Sequence, residues 1–161
     1  MKTNLHDITK KALWNVSTTK GGYEISSMFD GSNETFWQSD SVPPHFIIAQ
    51  FSKKTYISKL SMYISIQNDE TYTPVEVACY IGSDPNLMQQ YSREELSILQ
   101  GWVDIPLGIS TIFLKIEITK NHQGGKDSRI RQIKLWGLPQ SLAFDTSCFV
   151  TPNATQFLTI R

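Results

Sequence analysis

Leu60-Ser61-Met62-Tyr63-Ile64-Ser65-Ile66 sets apolar residues at 60, 62, 64 and 66 against Ser61, Tyr63 and Ser65. Successive side chains on a strand point to opposite faces, so this period of two predicts a strand with one buried face. Val75, Val77, Cys79 and Ile81 repeat the pattern, as do Ile112, Leu114, Ile116 and Ile118. Shorter versions run through 46–51, 102–107 and 130–136. Ser52-Lys53-Lys54, Asn68-Asp69-Glu70, Gly82-Ser83-Asp84-Pro85 and Asn121-His122-Gln123-Gly124-Gly125 read as the turns between them. Strands joined by turn-rich segments predict an all-β antiparallel sandwich or barrel. Helix is scarce: a short N-terminal turn over 7–15, capped by Asp7, and a second over Ser92-Arg93-Glu94-Glu95-Leu96, where Ser92 and Glu95 have capping-box spacing.

The chain has 161 residues and 18.3 kDa, the size of one domain with short extensions. Fifteen Lys+Arg balance fifteen Asp+Glu. A neutral chain with no basic arm is a poor general nucleic-acid binder. No apolar run approaches the roughly 20 residues that span a bilayer, so no membrane partner is expected. The N-terminus has no secretion-signal core. Two cysteines, Cys79 and Cys148, make neither a disulfide framework nor a four-thiolate zinc site. The sequons at Asn33 and Asn153 are read as chance. The expected organisation is a sandwich domain over 1–137 and a tail over 138–161. That tail is rich in Ser and Thr and carries Phe144, Phe149 and Phe157 as apolar anchors.

Catalysis has no visible carrier. There is no Gly-x-Ser-x-Gly elbow. Cys79 falls on a buried strand face, and His6, His45 and His122 lack partners at metal-ligand spacing. Gly124-Gly125-Lys126-Asp127-Ser128 fails as a phosphate loop, because Asp127 stands where a hydroxyl must hold magnesium. Neither an enzyme activity nor a cofactor is expected.

Two polar segments carry more recognition chemistry than connecting loops need. The first is Asp69-Glu70-Thr71-Tyr72-Thr73-Pro74 and the second runs from Asn121 to Arg129. Asn and Gln amides donate and accept together, which suits a peptide backbone. Tyr72 offers a rigid amphipathic face. Six Lys/Arg against two acids over 115–134 give a local positive excess, read either as a face for acidic partners or as a solvated edge. A free Ile160-Arg161 terminus would place a carboxylate, a guanidinium and a branched apolar group on one plug.

Taken together, Ala12-Leu13-Trp14, Thr35-Phe36-Trp37-Gln38-Ser39-Asp40, Pro44-His45, Asp69-Glu70-Thr71-Tyr72-Thr73-Pro74, Gly101-Trp102, Asn121-His122-Gln123 and Arg131-Gln132-Ile133-Lys134 resemble the Doc-domain family of subunits of the anaphase-promoting complex (cyclosome). Order and spacing match over nearly the whole chain. The resemblance implies a galactose-binding-domain-like jelly roll. It also implies a non-catalytic subunit of a ubiquitin ligase that acts in mitosis, in nucleus and cytoplasm. In that reading, loops at one end of the sandwich work with a WD-repeat coactivator to hold the destruction box of substrates such as cyclins and securin. That grip makes ubiquitination processive.

Carried over residue by residue, the degron-binding set is Asp69, Glu70, Thr71, Tyr72, Asn121, His122, Gln123 and Asp127. Ile160 and Arg161 correspond to the tail that docks on a tetratricopeptide-repeat subunit beside the scaffold subunits. Four positions depart from the family pattern: Phe36 replaces a usual tyrosine, Thr71 a serine, Gly124 an asparagine and Lys126 an arginine. The competing class is a carbohydrate- or small-ligand-binding module on the same sandwich, with Tyr72, Asn121 and Arg129 as its platform.

Overall fold

The structure is a computed structural model and describes residues 4–139. Nine strands account for most of it: β1 (His6–Asp7), β2 (Ala12–Val16), β3 (Trp37–Gln38), β4 (His45–Ser65), β5 (Pro74–Gly82), β6 (Gln89–Glu95), β7 (Gln100–Asn121), β8 (Arg129–Ile130) and β9 (Gln132–Gly137). All pairings are antiparallel. The large sheet runs β1-β9-β4-β7-β5-β6 with β2 also on β4, and β3 pairs with β8 separately.

Two runs read as separate strands are one continuous strand, twice over. The segments 46–51 and 60–66 are both part of the 21-residue β4, which ends at Ser65, and 102–107 joins 112–118 within the 22-residue β7. Ser52-Lys53-Lys54 is therefore a bulge rather than a turn. Gln50 faces Phe113 and Thr55 faces Thr111, so residues 51–54 are squeezed out of register. A second slip between Ile57 and Lys59 changes which parity points inward. Before it Ile47, Ala49, Phe51 and Ile57 are buried; after it Leu60, Met62 and Ile64 are.

The irregularities bend the β4–β7 ribbon so that its halves share one core. The first half, with β2 and β5, contributes Ile47, Ala49, Val77, Cys79, Leu114 and Ile116. The second half, with β9, contributes Leu60, Met62, Ile64, Val103, Ile105, Ile133 and Leu135 to the same cluster. This is the expected all-β sandwich, with both layers drawn largely from one long pair of strands, β4 and β7.

Two helix expectations are corrected. Of 7–15, only Thr9–Lys11 is helical, a 3-10 turn between β1 and β2. Asp7 does receive the Thr9 backbone N–H, at 3.0 Å. Ser92 to Glu95 belongs to strand β6, where Cys79 pairs with Ser92 and Glu76 with Glu95. Pairing with β5 overrides the local capping signal. The last strand stops at Gly137. The tail, with Cys148, Asn153, Ile160 and Arg161, lies outside the described residues apart from Leu138 and Pro139.

Candidate functional site

The two polar segments come together at one end of the sandwich. The first leaves β4 through a four-residue helical turn, α1 (Ile66–Asp69), and a 3-10 turn, Glu70–Tyr72, before entering β5. The second leaves β7 through a 3-10 turn at His122–Gly124 and enters β8. They are joined through backbone: His122 N–H donates to the Thr73 carbonyl at 2.8 Å. Gly125 lies against Thr71 so closely that an added methyl group would sit 1.8 Å from the Thr71 carbonyl oxygen. Each loop also holds one non-glycine residue at positive φ, Glu70 (49°) and Gln123 (53°), a conformation that carries strain.

Not every predicted rim residue faces outward. Glu70 and Gln123 are exposed, and Thr71, Tyr72 and His122 are half-buried. Asn121, expected to offer its amide to a ligand, is 7% exposed. Its Nδ2 donates to the carbonyls of Gly125 and Asp127, and its Oδ1 accepts from the Ser128 hydroxyl. The amide holds its own loop in shape. Asp127 is similarly engaged, with Oδ1 accepting from the Ser39 hydroxyl and the Ser41 N–H. Beneath it the buried His45 donates from Nε2 to the Lys126 carbonyl at 2.6 Å.

Asp69 is the deepest of the set at 1% exposure. Arg131 grips it bidentately, Nη2 to Oδ1 at 2.6 Å and Nε to Oδ2 at 2.9 Å. Arg129 Nη1 approaches Oδ1 at 3.5 Å. The Arg131 pKa is raised, chiefly by the hydrogen bonds to Asp69, against the opposing effect of burial. A carboxylate so placed positions two guanidinium groups; it has no free oxygen to turn toward a ligand.

Sequence reading put Arg129 at the end of the second segment, in the positive excess and in a sugar platform, but not in the degron-binding set, and it left Phe36 out of the site. The Arg129 guanidinium carbon lies 4.0 Å from the Tyr72 ring centre and 4.4 Å from that of Phe36. Phe36 in turn stacks on Tyr23 at 4.7 Å, with the rings 8° from parallel. Arg129 Nε donates to the buried Gln38 Oε1 at 2.9 Å. The result is a chain of aromatic and guanidinium faces, Tyr72–Arg129–Phe36–Tyr23, along the rim. A shallow hollow on the other flank of the second loop is lined by Pro43, Val75, Lys120, Asn121, Gly124 and Gly125.

The positive excess over 115–134 is largely answered within the fold. Lys115 is 3.9 Å from Glu117 and Lys120 is 4.0 Å from Glu76. Lys134 lies over Trp102 and Trp136 at 5.4 and 5.8 Å. Among the described residues no group of three His, Cys, Asp or Glu could hold a metal ion, and no helix is long and apolar enough to cross a membrane.

A sandwich with its polar loops gathered at one end is the architecture of galactose-binding-like modules. The family 32 carbohydrate-binding module of Clostridium perfringens NanJ, solved with galactose, superposes with a TM-score of 0.69 over 83% of this chain and 99% of that one, at 11% identity. A chitosan-binding module from Paenibacillus gives 0.65 over 82% and 99%, at 17% identity. These likenesses show the jelly-roll fold. The family model described as "Anaphase-promoting complex, subunit 10 (APC10)" matches residues 1–157. Dictyostelium discoideum anaphase-promoting complex subunit 10 is 36% identical over all of this chain and 89% of its own length. The human protein of that name is 33% identical over 82% of this chain and 75% of its own length. Saccharomyces cerevisiae subunit DOC1 is 31% identical over 81% and 55%. The chain belongs to the anaphase-promoting complex subunit 10 family, and its place is within that complex.

Proposed function

We propose that this chain is a non-catalytic co-receptor of the ligase, in nucleus and cytoplasm, holding destruction-box segments jointly with a WD-repeat coactivator. The observation that carries the reading is the pairing of the two loops into one rim, which keeps Glu70, Thr71, Tyr72, His122 and Gln123 on a common edge. Asp69, Asn121 and Asp127 build that edge from below. Such a polar strip binds an extended peptide weakly alone, because ordering the peptide offsets most of the gain. Beside a second receptor the same contact becomes intramolecular, and a weak grip lengthens residence. In this reading Ile160-Arg161 docks on a tetratricopeptide-repeat subunit, beside scaffold subunits of the ligase. Cyclins and securin are substrates of the expected type.

The test is a His122→Ala/Gln123→Ala chain assembled into the complex. Fewer ubiquitins added per substrate encounter, with assembly intact, is the expected result. Unchanged processivity rules the co-receptor role out. The carbohydrate reading fits less well, because one approach to the Tyr72 ring is taken by Arg129. A thermal-shift screen with simple sugars tests that reading, and a saturable shift would favour it.

A further inference from the structure

We infer that the Arg129 guanidinium is a carboxylate-binding site on the rim, reading one acidic side chain of the extended peptide held there. The inference rests on the co-receptor reading and adds a ligand chemistry to it.

Arg129 is braced for recognition. Nε is fixed by Gln38, Nη1 leans on Asp69 at 3.5 Å, and the plane lies against Tyr72 and Phe36. A guanidinium held this way has lost its rotamer freedom before a ligand arrives, so little entropy is spent on binding. Its outermost nitrogen Nη2 is unspent, and Nη1 is held only by the long contact to Asp69. Nη2 has no hydrogen-bond partner among the described residues and is not sealed from solvent, and the side chain is 21% exposed. Nη1 and Nη2 together can present the end-on fork that fits a carboxylate.

The charge count points the same way. One buried carboxylate, Asp69, is shared by two guanidinium groups, and Arg131 takes both of its oxygens. Asp69 therefore leaves one positive charge of this trio unbalanced, and that charge sits on the more exposed partner. Glu34 adds only the weakest of the electrostatic pulls on Arg131. A monoanion matches one surplus charge; a phosphate dianion overshoots it. The two neighbouring rings displace water from the guanidinium, which strengthens a charge-assisted hydrogen bond formed there.

The experiment uses the complete complex carrying this chain as wild type, Arg129→Gln or Arg129→Lys. Destruction-box peptides with amidated C-termini compete with a labelled substrate for ubiquitination. In the panel each Asp or Glu is changed in turn to its amide. With the wild-type chain, one acidic position is expected to lose about tenfold in inhibition on amidation, the size of a charged hydrogen bond. With Arg129→Gln the acid and amide forms of that position should compete equally. Arg129→Lys, which keeps the charge and loses the fork, should retain only part of the difference. Thermal unfolding of each full chain shows whether folding is kept, and Arg129→Lys carries the test if Arg129→Gln does not fold.

Discrimination at every acidic position that survives both substitutions, or no acidic position that matters with the wild-type chain, overturns the inference. The His122→Ala/Gln123→Ala chain separates the two levels. If it weakens every peptide while acid and amide forms stay equivalent, the co-receptor reading stands and only the carboxylate site falls. If it weakens none, the reading beneath falls too.

Discussion

Gly125 packs against the Thr71 backbone at a distance that leaves no space for a β-carbon. This contact, with the His122-to-Thr73 hydrogen bond beside it, turns two connecting loops into one rim. Gly125→Ala should push the loops apart, at a cost of about 2 kcal/mol on the scale of overpacked sites. Gly124→Ala makes the contrast. Gly124 has φ of +72° and open space around it, so the cost is only the left-handed penalty of about 1 kcal/mol. Thermal unfolding of the two chains should rank them in that order. Ubiquitins added per encounter should fall for Gly125→Ala and stay near wild type for Gly124→Ala.

Asp69→Asn should destabilise the domain by about 3 kcal/mol or more, the usual cost of leaving a buried charge unpaired. Here the orphaned charge is on Arg131, only 6% exposed as a residue. Urea unfolding of the full chain measures it. An Asp69→Asn chain as stable as wild type would show that Asp69 does not hold the two arginines.

Asn121 and Gln123 stand two residues apart and should behave differently. Asn121→Ala removes three hydrogen bonds inside the loop. It should lower the unfolding temperature and processivity together. Gln123→Ala removes an exposed side chain and should lower processivity alone. Measuring both properties in both chains separates positioning from contact.

The sandwich was legible in the sequence because one-sided burial writes itself as period two, as in Leu60 to Ile66. Continuity through Ser52-Lys53-Lys54 was not, since a bulge puts exposed polar residues where a turn would also put them. Strand β6 was missed for a related reason. From Tyr91 to Glu95 exposed and half-buried residues alternate, but the half-buried ones are Ser92 and Glu94. An edge strand written in polar residues gives no hydrophobic period. The loops that form the rim were found from their side-chain chemistry. Which residues face outward was not, because that depends on partners far along the chain. Asp69 is buried by Arg131, and Arg129 is aimed by Gln38.

Removing Ile160-Arg161 should weaken recovery of the chain with the tetratricopeptide-repeat subunit in a pull-down and leave its unfolding temperature unchanged. The described core is built from residues between Ile8 and Leu135. Equal recovery of truncated and full-length chains would end the docking proposal.

Cys79 gives the fold an alkaline limit. It is 1% exposed, and burial pushes its thiol up from 9.0 to about 11. Folding holds the proton on: between those values the unfolded chain has released it and the native chain has not. Stability is thus complete below the unfolded pKa and falls as pH rises toward 11. The full effect is about 3 kcal/mol at 1.36 kcal/mol per unit. Cys79→Ala should flatten the alkaline limb of a stability–pH curve, while lowering neutral stability slightly for the lost packing. At pH 8 Cys79 should also resist a thiol-alkylating reagent until denaturant is added. Rapid labelling of Cys79 in the native chain would mean that the β5 face opens readily to water.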